Sequence, residues 1–88
     1  MSKNCEIDED SLKKLEKRFL KKVPEEYRRK LFEKVLPELS RNPYSGEKLK
    51  GKLEKFWKYR IGRYRLIYYP MPCKVKLLIF KPREGVYR

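Results

Sequence analysis

Basic and aromatic side chains alternate through two predicted strands in a pattern that could act on a phosphodiester. A hairpin would place Lys58, Arg60 and Arg65 on one face of these strands. Arginine binds phosphate oxygens through two parallel hydrogen bonds, and lysine supplies a compact positive charge. Arg83 and Tyr87 can return to the same face. The pattern therefore indicates a phosphate-binding surface.

Several other chemistries are excluded by composition. The chain has no histidine, so neither a Ser-His nor a Cys-His nucleophile pair can form. Neither GxxxxGK[ST] nor GxGxxG is present. The second half contains only Glu47, Glu54 and Glu84, too few for the converging carboxylates of a two-metal nuclease. Cleavage of RNA by in-line attack of a 2′-hydroxyl remains, and we expect neither a metal nor another cofactor.

Each residue of the basic face has a candidate role in that reaction. Arg65 and Arg83 could hold the phosphate oxygens. Lys58 is the candidate proton acceptor, because several neighbouring cations disfavour its charged form. Arg60 is a poor base because guanidinium stays protonated, and Tyr87 could stack on an exposed nucleobase. Each side chain alone could equally serve packing or solvation, so the argument depends on their sharing one face.

Positive charge is concentrated in the second half of the chain. Residues 1–43 carry 12 basic and 9 acidic side chains, whereas residues 44–88 carry 13 basic and 3 acidic ones, and the formal net charge is +13. Such an imbalance attracts nucleic acid, a ribosomal surface or a very acidic protein. Further basic residues around the predicted hairpin are candidates for RNA or ribosome binding: Lys48, Lys50, Lys52, Lys55 and Arg63.

The length of 88 residues predicts one domain with one modest core. Cys5 and Cys73 show no metal-binding or redox spacing, and two isolated thiols indicate packing residues in a reduced cytosol rather than a disulfide. We find no signal-peptide pattern and no apolar run near the ~20 residues that a membrane span requires. A cytoplasmic protein is expected.

Two helices are predicted from apolar residues at spacings of three and four. A short edge strand over residues 5–8 precedes the first helix, which Asp8 or Asp10 could cap. Pro24 suits the start of the second helix, whereas Pro37 should kink that helix or end it near Leu36. The two apolar stripes consist of Leu12, Leu15, Phe19 and Val23, and of Tyr27, Leu31, Val35 and Leu39.

From Leu53 the apolar period becomes two, which predicts a strand to Ile61 and a tight Gly62-Arg63 turn. A second strand follows and is expected to stop at Pro70. The continuous LLIF run in a third strand, over residues 75–80, indicates a central position in the sheet.

The predicted fold is therefore α+β, with two N-terminal antiparallel helices on one face of a three- to four-stranded antiparallel sheet. The other face is expected to be open and cationic. A single domain spans residues 1–88, with the helical hairpin at about 10–41, the sheet at about 52–82 and a tail at 83–88.

The order and spacing of several short motifs resemble the RelE/ParE toxin superfamily, and the RelE branch most. The resemblance covers nearly the whole chain and rests on Lys-Leu-Lys-Gly at 48–51, Trp57, Arg60, Gly62, Tyr64-Arg65, Ile67-Tyr68, Arg83 and Val86-Tyr87. It implies a bacterial or archaeal toxin of a type II toxin–antitoxin pair. RelE-like toxins enter the ribosomal A site and cleave the mRNA there, and an acidic RelB-like antitoxin wraps around the toxin and blocks it.

The resemblance also assigns roles by position. Lys58 and Arg60 match the basic pair of the family, and Arg65 matches the arginine of its Tyr-Arg motif. Arg83 matches the C-terminal arginine, and Tyr87 matches the tyrosine that stacks on the mRNA base.

Two departures from the family pattern concern this catalytic set. Arg60 stands where some RelE toxins have lysine, and Pro82 stands where many relatives have histidine. Two alternatives stay open: a ParE-like toxin that inhibits DNA gyrase without nuclease chemistry, and a non-catalytic RNA- or ribosome-binding module.

Overall fold

The computed structural model describes residues 5–53 and 55–82. The catalytic predictions for Arg83 and Tyr87, together with the predicted tail, lie outside the described residues.

The chain begins with a short strand, β1 (Glu6–Ile7), followed by α1 (Glu9–Arg18). Asp8 caps α1, and its carboxylate accepts a hydrogen bond of 2.9 Å from the Ser11 N–H. The first turn of α1 is acidic and the last turn is basic, so both ends complement the helix dipole. A 3₁₀ turn (Leu20–Lys22) then leads to Pro24, the N-cap of the second helix.

The second helix is continuous but irregular. α2 (Glu25–Lys30) passes through a π-helical turn (Leu31–Val35) into α3 (Leu36–Arg41). The helix therefore runs through Pro37 instead of ending near Leu36. The wider turn lies immediately before the proline, where its ring would crowd the carbonyls of a regular helix. No helix in the described part of the chain is long and apolar enough to cross a bilayer.

Within the described residues the sheet has five strands in the order β1-β5-β4-β3-β2. β1 runs parallel to β5, and every other neighbouring pair is antiparallel. The α+β class is confirmed, while the expected three or four antiparallel strands become five in a mixed sheet. The edge strand expected over residues 5–8 is present as β1, although it runs parallel to its neighbour. The strand Glu47–Lys48 was not expected, because two residues are too few to show a period of two. The remaining strands are β2 (Glu47–Lys48), β3 (Trp57–Ile61), β4 (Tyr64–Met71) and β5 (Lys74–Pro82).

Strand boundaries differ from the sequence prediction in β3 and β4, and β5 is longer at both ends than the predicted residues 75–80. A 3₁₀ turn occupies Gly51–Leu53, so β3 begins at Trp57 rather than Leu53. β4 also continues past Pro70, which pairs with Val75 of β5. The pairing of β4 with β3 ends at Tyr68, so the proline has a neighbouring strand on one side only. A proline is tolerated at such an edge position.

A β-bulge explains the continuous apolar run in β5. Ile67 pairs with Ile79 but Tyr68 pairs with Leu77, which leaves Leu78 as the extra residue. The bulge reverses the alternation of side chains along β5. Leu77 and Phe80, three positions apart, are consequently both buried on the same face.

The helices cover one face of the sheet, and the core lies between them. Tyr64 stacks on Phe80 with ring centroids 5.2 Å apart and contacts Tyr27 of α2 at 4.7 Å. On the opposite face Ile79 remains 37% exposed. Among the described residues the helices contribute Leu15, Leu20, Leu31, Val35 and Leu39 to the core, and the sheet contributes Leu66, Tyr68, Val75, Leu77 and Phe80.

This asymmetry predicts unequal effects of truncation on the two faces. Leu66→Ala, at a fully buried position, should lower the free energy of unfolding by about 2–5 kcal/mol, because the cavity sits in the packed core. Ile79→Ala, the matched control on the open face, should cost less than about 1.5 kcal/mol. Urea denaturation followed by circular dichroism measures both, and equal losses would contradict the assignment of the faces.

Candidate functional site

Three basic residues lie directly opposite one another across the open face. Arg60 of β3 pairs with Arg65 of β4, and Arg65 pairs with Lys81 of β5. We call Arg60, Arg65 and Lys81 the cationic row. Like charges at directly opposed positions lower the stability of a sheet. Three adjacent cations on one face also attract a polyanion, so the row is a candidate binding surface for one.

Apolar and aromatic side chains continue this face beside the cationic row. Lys58 pairs with Ile67, which pairs in turn with Ile79. Beyond them the rings of Phe56 and Tyr69 meet edge to face, with centroids 5.9 Å apart. Both rings are partly exposed. Cations next to such rings suit single-stranded nucleic acid, whose phosphates bind the charges and whose bases stack on the rings.

An acidic residue absent from the sequence prediction lies beside Lys58. Glu47 of β2 pairs with Lys58 of β3, and its Oε1 atom lies 3.6 Å from the lysine Nζ. The Glu47 side chain is 74% exposed, so its carboxylate remains open to a ligand. Glu47 was considered only as a possible metal ligand in the sequence analysis. A single glutamate can still act as a proton acceptor, and that role was not considered.

Glu47 and Lys58 line a cleft of about 290 Å³ between the loop before β2 and strand β3. Within the described residues, Ser45 carries a buried hydroxyl without a hydrogen-bond partner. A concave site with an ion pair can hold a polar ligand. The cleft is lined by Ser45, Gly46, Glu47, Lys58, Tyr59 and Arg60.

Two tyrosines hold the cleft in place. The buried Tyr68 hydroxyl accepts a hydrogen bond of 3.1 Å from the Gly46 N–H, and burial raises the pKa of Tyr68 to about 12. The Tyr59 hydroxyl donates to Glu38 at 2.6 Å, and burial followed by the Glu38 carboxylate raises the pKa of Tyr59 to about 12. Both hydroxyls therefore stay protonated at neutral pH and serve structure rather than proton transfer.

The other predicted binding residues lie outside the cationic row and do not line the cleft. Lys48 pairs with Trp57, which packs against the core, so alternation places Lys48 on the face opposite to Lys58. Arg63 occupies the β3–β4 turn. Lys50, Lys52 and Lys55 are exposed in the segment that joins β2 to β3. In residues 5–53 and 55–82 no group of three or more Cys, Asp or Glu side chains could hold a metal ion.

Most of the chain matches a known protein family. Residues 9–80 match the family described as the ParE toxin of the type II toxin–antitoxin system, parDE. No curated protein sequence matches the chain significantly. A chain in the crystal structure of the toxin–antitoxin complex RelBE2 from Mycobacterium tuberculosis is similar, with 25% identity and a TM-score of 0.72 over 94% of each chain.

The close packing around Gly46 predicts that any side chain at this position lowers the stability of the protein. A Cβ atom at Gly46 would collide with the Lys58 carbonyl oxygen and lie 2.6 Å from the Tyr68 hydroxyl. Gly46→Ala should lower stability by about 1–3 kcal/mol, because one of the two obstacles is backbone. Adding Tyr68→Phe removes only the hydroxyl obstacle, so the double variant should not recover wild-type stability. Thermal unfolding of the two variants tests this, and a fully stable Gly46→Ala protein would disprove the close approach.

Proposed function

The chain belongs to the ParE toxin family of the RelE/ParE superfamily and is a toxin of a type II toxin–antitoxin system, and on that premise we propose that it cleaves mRNA in the ribosomal A site. The observation that carries the proposal is the strand register. It aligns Arg60 with Arg65 and sets Lys58 and Glu47 beside them at the cleft. Phosphate-binding cations thus lie next to a proton acceptor, and cleavage by a 2′-hydroxyl needs both.

The cationic row holds the scissile phosphate in this proposal. Arg60 and Arg65 are suited to bidentate hydrogen bonds with the non-bridging oxygens, and Lys81 adds a third positive charge. Negative charge grows on these oxygens as the 2′-oxygen approaches phosphorus. Fixed cations stabilise that charge more than they stabilise the ground state, and the reaction is accelerated accordingly.

Glu47 takes the proton from the 2′-hydroxyl. A glutamate carboxylate can accept a proton at neutral pH, whereas a lysine must first lose one. Lys58, the acceptor expected from sequence, instead orients Glu47 through the 3.6 Å ion pair. The new bond joins the 2′-oxygen to phosphorus, the bond from phosphorus to the 5′-oxygen breaks, and the leaving 5′-oxygen takes up a proton from solvent. The products are a 2′,3′-cyclic phosphate and a 5′-hydroxyl end.

Membership of a toxin–antitoxin family implies an antitoxin partner. We infer that this partner is an acidic, RelB-like protein, because the toxin carries a formal net charge of +13. Charge attraction speeds association of the two proteins, and apolar burial then slows their dissociation. The ribosome and its mRNA are the further partners under this proposal.

Inhibition of DNA gyrase is the second candidate function, and the family match favours it because that family is described as ParE. A toxin that acts only by binding gyrase needs no proton acceptor. The cleft with its ion pair of Glu47 and Lys58 would then have no chemical role.

One set of assays separates these functions. The purified full-length chain is added to an in vitro translation reaction, and mRNA ends are mapped by primer extension. In parallel it is added to a gyrase supercoiling reaction. Cleavage confined to A-site codons supports the proposal, whereas loss of supercoiling without mRNA cleavage supports the gyrase function. Binding to ribosomes without either effect supports a non-catalytic module.

Arg65→Ala should slow mRNA cleavage by about 10²-fold or more, because it removes a charge from the transition state. Arg83→Ala should have a similar effect if the assignment by resemblance holds. Arg28→Ala is the matched control, since Arg28 lies on α2 on the other side of the sheet. Single-turnover cleavage on preformed ribosome complexes at saturating toxin suppresses binding defects. Wild-type rates for both Arg65→Ala and Arg83→Ala would refute the catalytic assignment.

The proton acceptor can be identified with two conservative variants. Glu47→Gln keeps the shape of the side chain but loses its basicity, so cleavage should fall by about 10²-fold or more. Lys58→Arg keeps a positive charge next to Glu47, so its rate should stay within about tenfold of wild type. The same single-turnover assay measures both rates. The reverse pattern would assign the acceptor role to Lys58.

A further inference from the structure

Two cysteines that are distant in sequence meet at one end of the sheet. Cys5 precedes β1 and Cys73 lies in the turn between β4 and β5, yet their Sγ atoms are 2.9 Å apart. Both thiols are reduced. The sequence indicated isolated packing residues, because 68 positions separate them and a parallel pairing of β1 with β5 was not expected. That pairing sets Glu6 opposite Lys74, and the two preceding residues therefore come together.

We propose that Cys5 and Cys73 form a reversible intramolecular disulfide on exposure to a peroxide, a modification that does not depend on the proposed function. The sulfur atoms are 2.9 Å apart, and a disulfide bond is about 2.05 Å long. A closing movement of less than about 1 Å is therefore sufficient.

The backbone at Cys73 supports a specific use of this position. Its φ angle is 56°, in the left-handed region that glycine and asparagine occupy more readily than other residues. A cysteine at a conformationally costly position, in contact with a second thiol, points to a role for its sulfur atom.

The exposure of the two thiols sets the order of the chemical steps. Cys73 is exposed, whereas Cys5 is partly buried and its thiol donates a hydrogen bond to the Cys73 sulfur. That hydrogen bond, and then burial, raise the pKa of the Cys5 thiol, so Cys5 keeps its proton. Cys73 consequently meets the oxidant first, and Cys5 resolves the intermediate.

Oxidation of the two thiols proceeds in two steps. The Cys73 thiolate attacks one peroxide oxygen, the O–O bond breaks, and a sulfenic acid forms. The other oxygen takes up one proton and leaves as water from hydrogen peroxide, or as an alcohol from an alkyl peroxide. The Cys5 sulfur then attacks the sulfenic sulfur, the S–O bond breaks, and water leaves with the Cys5 proton. The two thiols together lose two hydrogen atoms and two electrons, and the peroxide is reduced.

The disulfide would fasten a weakly held edge of the fold. β1 has only two residues paired with β5. The Cys5 N–H donates to the Ser40 carbonyl at 2.6 Å, and the Ser40 hydroxyl donates to the Cys5 carbonyl. A covalent link would therefore join β1, the end of α3 and the β4–β5 turn. Closing so long a loop also restricts the unfolded chain, which stabilises the folded protein.

The experiment oxidises the purified full-length chain with hydrogen peroxide at low protein concentration. Free thiols are then alkylated, and peptides are mapped without reduction. We expect a Cys5–Cys73 cross-linked peptide, an intact mass lower by two hydrogen atoms, and reversal by a dithiol reductant. The oxidised protein should melt at least about 5 °C higher than the reduced protein. Hydrogen exchange of Glu6 and Ile7 should slow as well.

Cys5→Ser and Cys73→Ser are the matched controls. Neither should gain stability on oxidation, and Cys73 in the Cys5→Ser variant should proceed to sulfinic acid because its resolving thiol is missing. The wild-type mass and peptide map decide the question even if a variant folds poorly. Separate oxidation of the two thiols, disulfides mainly between molecules, or an unchanged melting temperature would each overturn the proposal.

Discussion

The pairing of Arg60 with Arg65 across the β3–β4 hairpin is the constraint on which the fold and the site both depend. The hairpin turn fixes it, because Gly62 adopts a φ of 59° that a two-residue turn requires. A slip of one residue would turn Arg65 toward the helices and Leu66 toward solvent. The burial of Leu66 in the core therefore specifies, through the pleat of the sheet, where the charges of the open face lie.

The two faces of the sheet have opposite effects on the stability of the fold. A pair of opposed like charges costs a few tenths to about 1 kcal/mol. Burial of one large apolar side chain contributes about 1.5–3 kcal/mol. Fourteen hydrophobic residues are buried among those that the structure describes, so the core can stabilise the fold despite the cationic row of Arg60, Arg65 and Lys81. The same charges that repel one another in the sheet attract a polyanion and strengthen its binding.

Features with a local sequence pattern could be predicted, and features set by distant contacts could not. The second helical stripe, the Gly62-Arg63 turn and the shared face of Arg65 and Ile67 follow from periodicity, and the structure has them. The first stripe is only partly helical, because α1 ends at Arg18, before Phe19 and Val23. The parallel β1–β5 pair and the contact of Cys5 with Cys73 depend on chain topology. The place of Lys81 beside Arg65 depends on the register of β4 and β5, which the sequence does not give. Glu47 was missed because a two-residue strand gives no pattern to read.

The geometry of the exposed cleft depends on side chains that are packed in or against the core. Tyr68 has no exposed surface, yet its hydroxyl accepts the Gly46 N–H and so fixes the backbone just before Glu47. On the neighbouring strand, the Tyr59 hydroxyl anchors β3 to Glu38 of α3. Burial keeps both hydroxyls protonated, so their hydrogen bonds persist across the physiological pH range. The ion pair is thus positioned by two strands: β2, held by Tyr68 just before it begins, and β3, held through its own Tyr59. Positioning from a packed core gives exposed groups the fixed geometry that catalysis requires.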